Sequence, residues 1–211
     1  GTLPDEQWHG DERTANLPLP ILSANMLVPG NLKITGPAAD LAKLQTYMQN
    51  VLKRAARLGL PVLVFGSGGA RQIPDGFDGN HARDQIISFL KMAGPIAQAH
   101  GVTVAIEHLN QKECNVITSF AEGVDYARAV NHPNIRMLVD TYHLWLEKEP
   151  LEHVASALPL LAHVHVADEA GRVAPGESGK DDYRPLFKML KSSGYAGLIS
   201  VECSGFKITE A

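Results

Sequence analysis

Short apolar runs recur along this chain, and a segment of helical period separates each from the next. They are "PILSANMLV" (20–28), "PVLVF" (61–65), "VTVAI" (102–106), "IRMLV" (135–139), "LAHVHV" (161–166) and "GLISV" (197–201). Their shortness and β-branched content favour strands over buried helix fragments. Between them, "DLAKLQTYMQNVLKRAARLG" (40–59) carries Leu41, Leu44, Met48, Val51, Leu52 and Ala55 on one face and stops at Gly59. Segment 81–101 is a second helix, with Pro95 expected to bend it or start a new turn. Segment 119–130 opens with Ser119 and Glu122 at capping-box spacing, and 150–161 and 182–194 supply two more helices.

Strict alternation of helices with buried strands means a parallel sheet, because the crossovers lay helices over its faces. No linker or low-complexity run divides the chain, so residues 1–211 read as one domain. Two architectures fit, the open doubly wound sheet and the (β/α)8 TIM barrel. Polar groups stand at the C-terminal end of strand after strand: Asn25, Glu107, Asp140, His165 and Glu202. A barrel gathers all such ends around one mouth, whereas an open sheet spreads them along a line. The barrel is therefore expected. Six strands are legible where a closed barrel needs eight, commonly over about 250 residues. The chain also stops nine residues after Glu202. The expectation is an incomplete barrel, lacking N-terminal βα units and the last helix.

The formal net charge of −4 offers no basic face for phosphates, so nucleic acid is not an expected partner. Two cysteines, Cys114 and Cys203, make no disulfide framework and suit a reducing compartment. No run reaches the roughly 18 apolar residues of a membrane span, and the polar, Pro-rich start does not read as a signal peptide. A soluble, cytoplasmic protein with no membrane partner is expected, and a homo-oligomer is allowed.

Glu107 closes an apolar run, a placement that costs several kcal/mol or neutralises the group unless something compensates. Taken singly, such a glutamate caps a helix or pairs with a lysine. Taken with Asp140, His165 and Glu202 on other strand ends, it implies a shared cation, because three converging carboxylates repel one another. Oxygen ligands plus one imidazole suit Mn²⁺, Mg²⁺, Co²⁺ or Zn²⁺, and no thiolate set points to structural zinc. His163 and His165 fall on the same strand face, so only one of them is needed as a ligand. His108 points away from Glu107 and reads as structural.

The segments "AIEHLNQKECN", "MLVDTYHLWLE", "HVHVADEAGRVAPGESG" and "LISVE" resemble the metal-binding segments of the sugar phosphate isomerase/epimerase family. This is the xylose isomerase-like TIM-barrel group that includes the D-tagatose and D-psicose 3-epimerases. The resemblance runs from about residue 20 to 203, and "FGSGGAR" (65–71) looks like the family's turn after the fourth strand. It implies that Glu107, Asp140, His165 and Glu202 hold one divalent metal, Mn²⁺ first among the candidates. It also implies that Glu107 and Glu202 act as an acid/base pair on opposite faces of a sugar or polyol. His143, Glu113 and Arg172 fall on the family's substrate contacts, Arg172 with one residue inserted relative to the pattern.

The chemistry explains the residue types. A proton beside a ketose carbonyl is too weakly acidic for a carboxylate alone, and a Lewis acid on the oxygens stabilises the developing enediolate. One glutamate then removes the proton and the other returns one to the opposite face. His143 would hold a substrate hydroxyl or move a proton between oxygens. The leading expectation is a metal-dependent ketose 3-epimerase or aldose–ketose isomerase. A keto-inositol (inosose) dehydratase-type lyase of the same family is the alternative. An endonuclease IV-like DNA repair enzyme fits less well, since "SANM" and "FGSGG" carry no histidine and "GKDDYRP" (179–185) replaces an Asp-x-His. A non-enzymatic sugar-binding module is the remaining class. Arg71 would meet an anion or pair with Asp75 or Asp78, and Trp145 would wall the pocket or fill core. Asn110 and Asn115 would brace the metal shell or make turns, while Cys203 would pack.

Overall fold

The structure, a computed structural model, describes residues 8–14 and 16–205. Parts of the polar N-terminal stretch and of the segment after Glu202, on which expectations about a leader and a final helix rest, lie outside the described residues.

The elements alternate along the chain. A short helix α1 (Gly10–Thr14) precedes β1 (Ser23–Ala24) and α2 (Leu41–Arg57). Then come β2 (Val62–Phe65), the single turn α3 (Gly68–Arg71), α4 (Gly79–Ala99) and β3 (Thr103–Glu107). Next follow α5 (Phe120–Val130), β4 (Ile135–Asp140), α6 (Thr141–Leu146) and α7 (Leu151–Ala155). Strand β5 (Leu161–Val166), α8 (Arg184–Ser192) and β6 (Leu198–Val201) complete the set. Among the described residues, the six strands are parallel and lie in sequence order β1-β2-β3-β4-β5-β6, so each crossover moves one place along the sheet. That unbroken order is the winding of a barrel; a doubly wound sheet reverses direction at a switch point. The expected architecture, six curled strands of the barrel, is what the chain adopts.

Strand alternation sorts the side chains into two cores. Val62, Val64, Ala105 and Leu138 form a small buried cluster on the concave face. Leu63, Phe65, Val104, Ile106, Met137 and Val139 point the other way and join the helix residues in the main core. There Leu44, Met48 and Leu52 of α2 meet Ile86, Phe89 and Leu90 of α4. Burying each such side chain contributes about 1.5–3 kcal/mol, which outweighs the modest propensity differences along these helices.

Caps set the helix starts. The Asp40 carboxylate accepts the amides of Ala42 and Lys43, both at 3.1 Å, and Asp78 accepts that of His81 at 2.7 Å. Ser119 accepts the Glu122 amide at 3.1 Å while Glu122 reaches back to the Thr118 amide at 2.8 Å, so the expected capping box forms one residue wider than its usual span.

Two expectations are corrected, and that of a new turn at Pro95 is set aside. Only Ser23 and Ala24 of the 20–28 run pair as a strand. Pro20 lacks an amide proton and Met26 turns to φ 58°, although the Leu27 amide still reaches the Val64 carbonyl at 3.1 Å. Helix α4 runs through Pro95 to Ala99. The carbonyl that Pro95 cannot satisfy belongs to Lys91, which is exposed to solvent. Segment 150–161 is not one helix but α7 followed by a 3-10 turn, Leu158–Leu160, because Pro159 cannot continue the ladder.

Candidate active site

Because Ala105 and Leu138 face inward, Glu107 and Asp140, each two residues further on, face inward as well. Asp140 is paired in register with His165, and His165 with Ser200, so Glu202 follows on the same face. One ligand-type atom from each of Glu107, Asp140, His165 and Glu202 lies within 4.8 Å of the others. His165 Nδ1 is 2.9 Å from Glu107 Oε1 and 3.1 Å from Glu202 Oε2. The glutamates differ in exposure: the Glu107 side chain is 7% accessible and that of Glu202 29%.

Arg172 joins the cluster from the loop after β5. Its Nη2 donates to Glu202 Oε2 at 2.6 Å and Asp140 Oδ2 at 3.2 Å, and Nη1 stands 3.9 Å from Glu113 Oε1. The guanidinium lies 4.7 Å from the centre of the Tyr142 ring. Arg172 adopts φ 51°, a left-handed conformation costing a non-glycine residue about 1 kcal/mol or more. Its ion pairs and the Ser204 amide on its carbonyl at 2.6 Å hold it there.

The electrostatics follow from burial of like charges. Burial raises the Glu107 pKa, against its bond to His165. Burial, then the charge of Glu107, pushes Asp140 up to about 8 despite Arg172. Burial opposes charge on His165, but hydrogen bonds to Glu107 and Glu202 raise it to about 10. Burial would raise Glu202 too, yet His165 and Arg172 hold it below the usual carboxylate range. Fully ionised, the three carboxylates would exceed the two cations, His165 and Arg172, by one charge, and without an added cation the excess is met by raising the Glu107 and Asp140 pKa values. Three oxygen donors and one imidazole at this spacing fit one divalent ion.

Glycine makes the room. A Cβ on Gly66 would lie 2.2 Å from Glu107 Oε2, so only glycine there leaves space for the carboxylate. This is the use of "FGSGGAR" nearest the cluster. The same motif ends in Arg71, which is fully buried and pairs with neither Asp75 nor Asp78, contrary to expectation. Its guanidinium donates to the carbonyls of Phe65 at 2.8 Å, Glu107 at 2.9 Å and Ile117 at 3.4 Å, tying the ends of β2 and β3 together. No local pattern announces that role.

His143 and Glu113 stand at the rim, linked by Asn110. The Asn110 side-chain amide is 2.8 Å from Glu113 Oε1 and 2.9 Å from His143 Nδ1. Burial, then the neighbouring His108 and Arg172, lowers the His143 pKa to about 2. Asn25, one of the polar strand ends expected at the mouth, follows β1 and donates to Glu202 Oε1, a contact beyond the ligand and substrate sets expected from the sequence. Glu107, Glu113, His143, Arg172, Glu202 and Asn25 thus border one cavity of about 350 Å³. Asn115 sits apart, exchanging hydrogen bonds with Ile73, and so makes a turn. Trp145 packs edge-on to Tyr183 at 4.8 Å and lies outside the cavity wall. His108 is fully buried against Phe120, as its strand position predicts.

Fold and cluster together define a parallel barrel whose mouth is built from strand-end carboxylates. The sequence model of the xylose isomerase-like TIM barrel matches residues 8–210, and the chain belongs to that family. It is 28% identical over 120 residues to a D-psicose 3-epimerase of Ruminiclostridium cellulolyticum, covering 56% of this chain and 40% of that protein. It is 31% identical over 133 residues to a 3-dehydro-D-guloside 4-epimerase of Escherichia coli, covering 61% and 48%. The chain therefore spans less than half the length of these curated relatives. The crystal structure of a 3-keto-D-glucoside 4-epimerase from E. coli superposes with a TM-score of 0.79 at 22% identity, covering 94% of this chain and 76% of that one. Among the described residues, no helix is long and apolar enough to cross a membrane.

Proposed function

We propose that this chain carries the catalytic mouth of a metal-dependent sugar epimerase or isomerase that moves a proton on the carbon beside a ketose carbonyl. The observation that carries the reading is the placement of Glu107 and Glu202. Both contact His165, at 2.9 and 3.1 Å, yet one ends β3 and the other follows β6, three places away in the sheet. Such a pair can reach opposite faces of one carbon.

Glu107, Asp140, His165 and Glu202 would hold the ion, with Mn²⁺ favoured and Mg²⁺, Co²⁺ or Zn²⁺ acceptable. When bound, the metal would supply Lewis-acid polarisation of the substrate oxygens. The remaining steps belong to the side chains. Glu107, deeply buried and with its pKa raised, is suited to hold or release a proton at its carboxylate. Glu202, more exposed and steadied by Asn25 and Arg172, is suited to exchange its proton on the other face. Glu113 would accept a substrate hydroxyl, and Arg172 would orient an oxygen at the rim. Relatives named as 3-epimerases and 4-epimerases support the proton-transfer class and leave the reacting carbon open.

The test is incubation in D₂O with Mn²⁺ and a panel of ketohexoses, inososes and hydroxypyruvate. Deuterium at one carbon of a recovered epimer or isomer is expected. Loss of water from an inosose would instead indicate the lyase alternative, and no exchange in any substrate by metal-loaded protein would overturn the proposal.

A further inference from the structure

The side chain of Asn110 makes three ordered contacts at the rim, and together they define which way it points. Its Oδ1 accepts the Lys112 amide at 3.0 Å. Its Nδ2 is therefore turned to Glu113 Oε1 at 2.8 Å and to His143 Nδ1 at 2.9 Å. A flipped amide would set an oxygen against the Glu113 carboxylate and an NH₂ against the Lys112 N–H.

The Asn110 backbone N–H lies 3.2 Å from the same His143 Nδ1. A backbone N–H can only donate, so Nδ1 must offer a lone pair and the ring proton sits on Nε2. That Nε2 is buried and makes no hydrogen bond among the described residues, with Asp140 Oδ2 3.5 Å away. A buried donor without a partner is costly and marks a place where an acceptor can arrive. His143 also borders the cavity.

We propose that Asn110 is a positioning residue that locks His143 as a neutral Nε2–H donor toward a substrate oxygen. The lock excludes the other role open to His143, moving a proton between oxygens, because its second nitrogen is committed to two donors. The kinetic part of the proposal rests on the epimerase reading; the tautomer part does not. A donor fixed before the reaction helps most where negative charge develops on oxygen, so its loss falls on kcat more than on KM.

The experiment uses the whole chain with ¹⁵N-labelled histidine, with and without Mg²⁺, observed by NMR. His143 is expected to show an unprotonated Nδ1 and a protonated Nε2. In Asn110→Asp, which keeps the shape and the backbone donor but sets a carboxylate oxygen against Nδ1 in place of the side-chain donor, the Nδ1 resonance should move toward that of a protonated nitrogen as the two contacts compete. In Asn110→Ala, which keeps the backbone donor, the Nδ1 resonance should shift toward that of a free acceptor nitrogen. With a substrate that is turned over, Asn110→Asp should lower kcat roughly 10- to 100-fold and change KM less than about threefold. A protonated Nδ1 in the unsubstituted protein, unchanged resonances in both variants, or an unchanged kcat would overturn the proposal. Absence of turnover on every sugar would overturn the epimerase reading and leave the tautomer result to decide this one.

Discussion

Gly66 and Glu107 approach so closely that a methyl group on residue 66 would stand 2.2 Å from Glu107 Oε2. The carboxylate is the far end of a side chain, so it can give way before the backbone does, at the expense of its bond to His165. Gly66→Ala should therefore move the glutamate, not the fold. Divalent-ion affinity is expected to fall roughly 10- to 100-fold, as when a group orienting a ligand is lost, with stability lowered by about 1–3 kcal/mol. Calorimetric titration with Mn²⁺ and a thermal melt on the same sample check both parts.

Arg71 ties the carbonyls of two strand ends, Phe65 and Glu107, to that of Ile117 in the loop before α5, and lysine cannot reproduce its fork. Arg71→Lys should cost about 2–3 kcal/mol, read from urea unfolding, because charge-assisted bonds to buried carbonyls are lost. An unchanged midpoint would show that the tie does not matter.

These two residues also show what was legible in the sequence. The alternation of apolar runs and helical segments disclosed the parallel barrel, because burial on both faces leaves a direct signature in composition. Their place at the ends of apolar runs disclosed Glu107, Asp140, His165 and Glu202, since the strands of a parallel barrel all end around one mouth. Arg71 was not legible, because its partners are backbone carbonyls, some of them 36 and 46 residues away, and carbonyls carry no side-chain signature. The Asn110 contacts to His143 were equally hidden, as was the retreat of β1 to two residues, which depends on the backbone turn at Met26.

Asp168 contributes to the acid limb of stability. Burial works against its charge, but the Tyr183 hydroxyl and the amides of Gly176 and Ser178 hold its pKa at about 2 against an ordinary 3.8. A depressed folded pKa means stability that is complete above about pH 4 and is lost as pH falls through about 2. Asp168→Asn should be less stable at neutral pH and show a flatter stability profile between pH 4 and 2. Denaturant midpoints measured across that range check the sign.

Glu149 caps a helix from a distance: its carboxylate accepts the Phe120 amide at 2.6 Å and the Ala121 amide at 2.9 Å at the start of α5. Glu149→Ala should destabilise by about 1–2 kcal/mol, since both amides and the helix dipole lose their anion. Amide hydrogen exchange should rise first in the opening turn of α5; uniform change across the chain would argue against a local cap.

The central claim is that four strand-end side chains hold one divalent ion. Calorimetric titration of the chain with Mn²⁺, beside Asp140→Asn and His165→Ala, tests it directly. One ion per chain, a melting temperature that rises with metal concentration, and loss of both in either variant are expected. No binding by the unsubstituted chain, or binding unchanged in both variants, would contradict it.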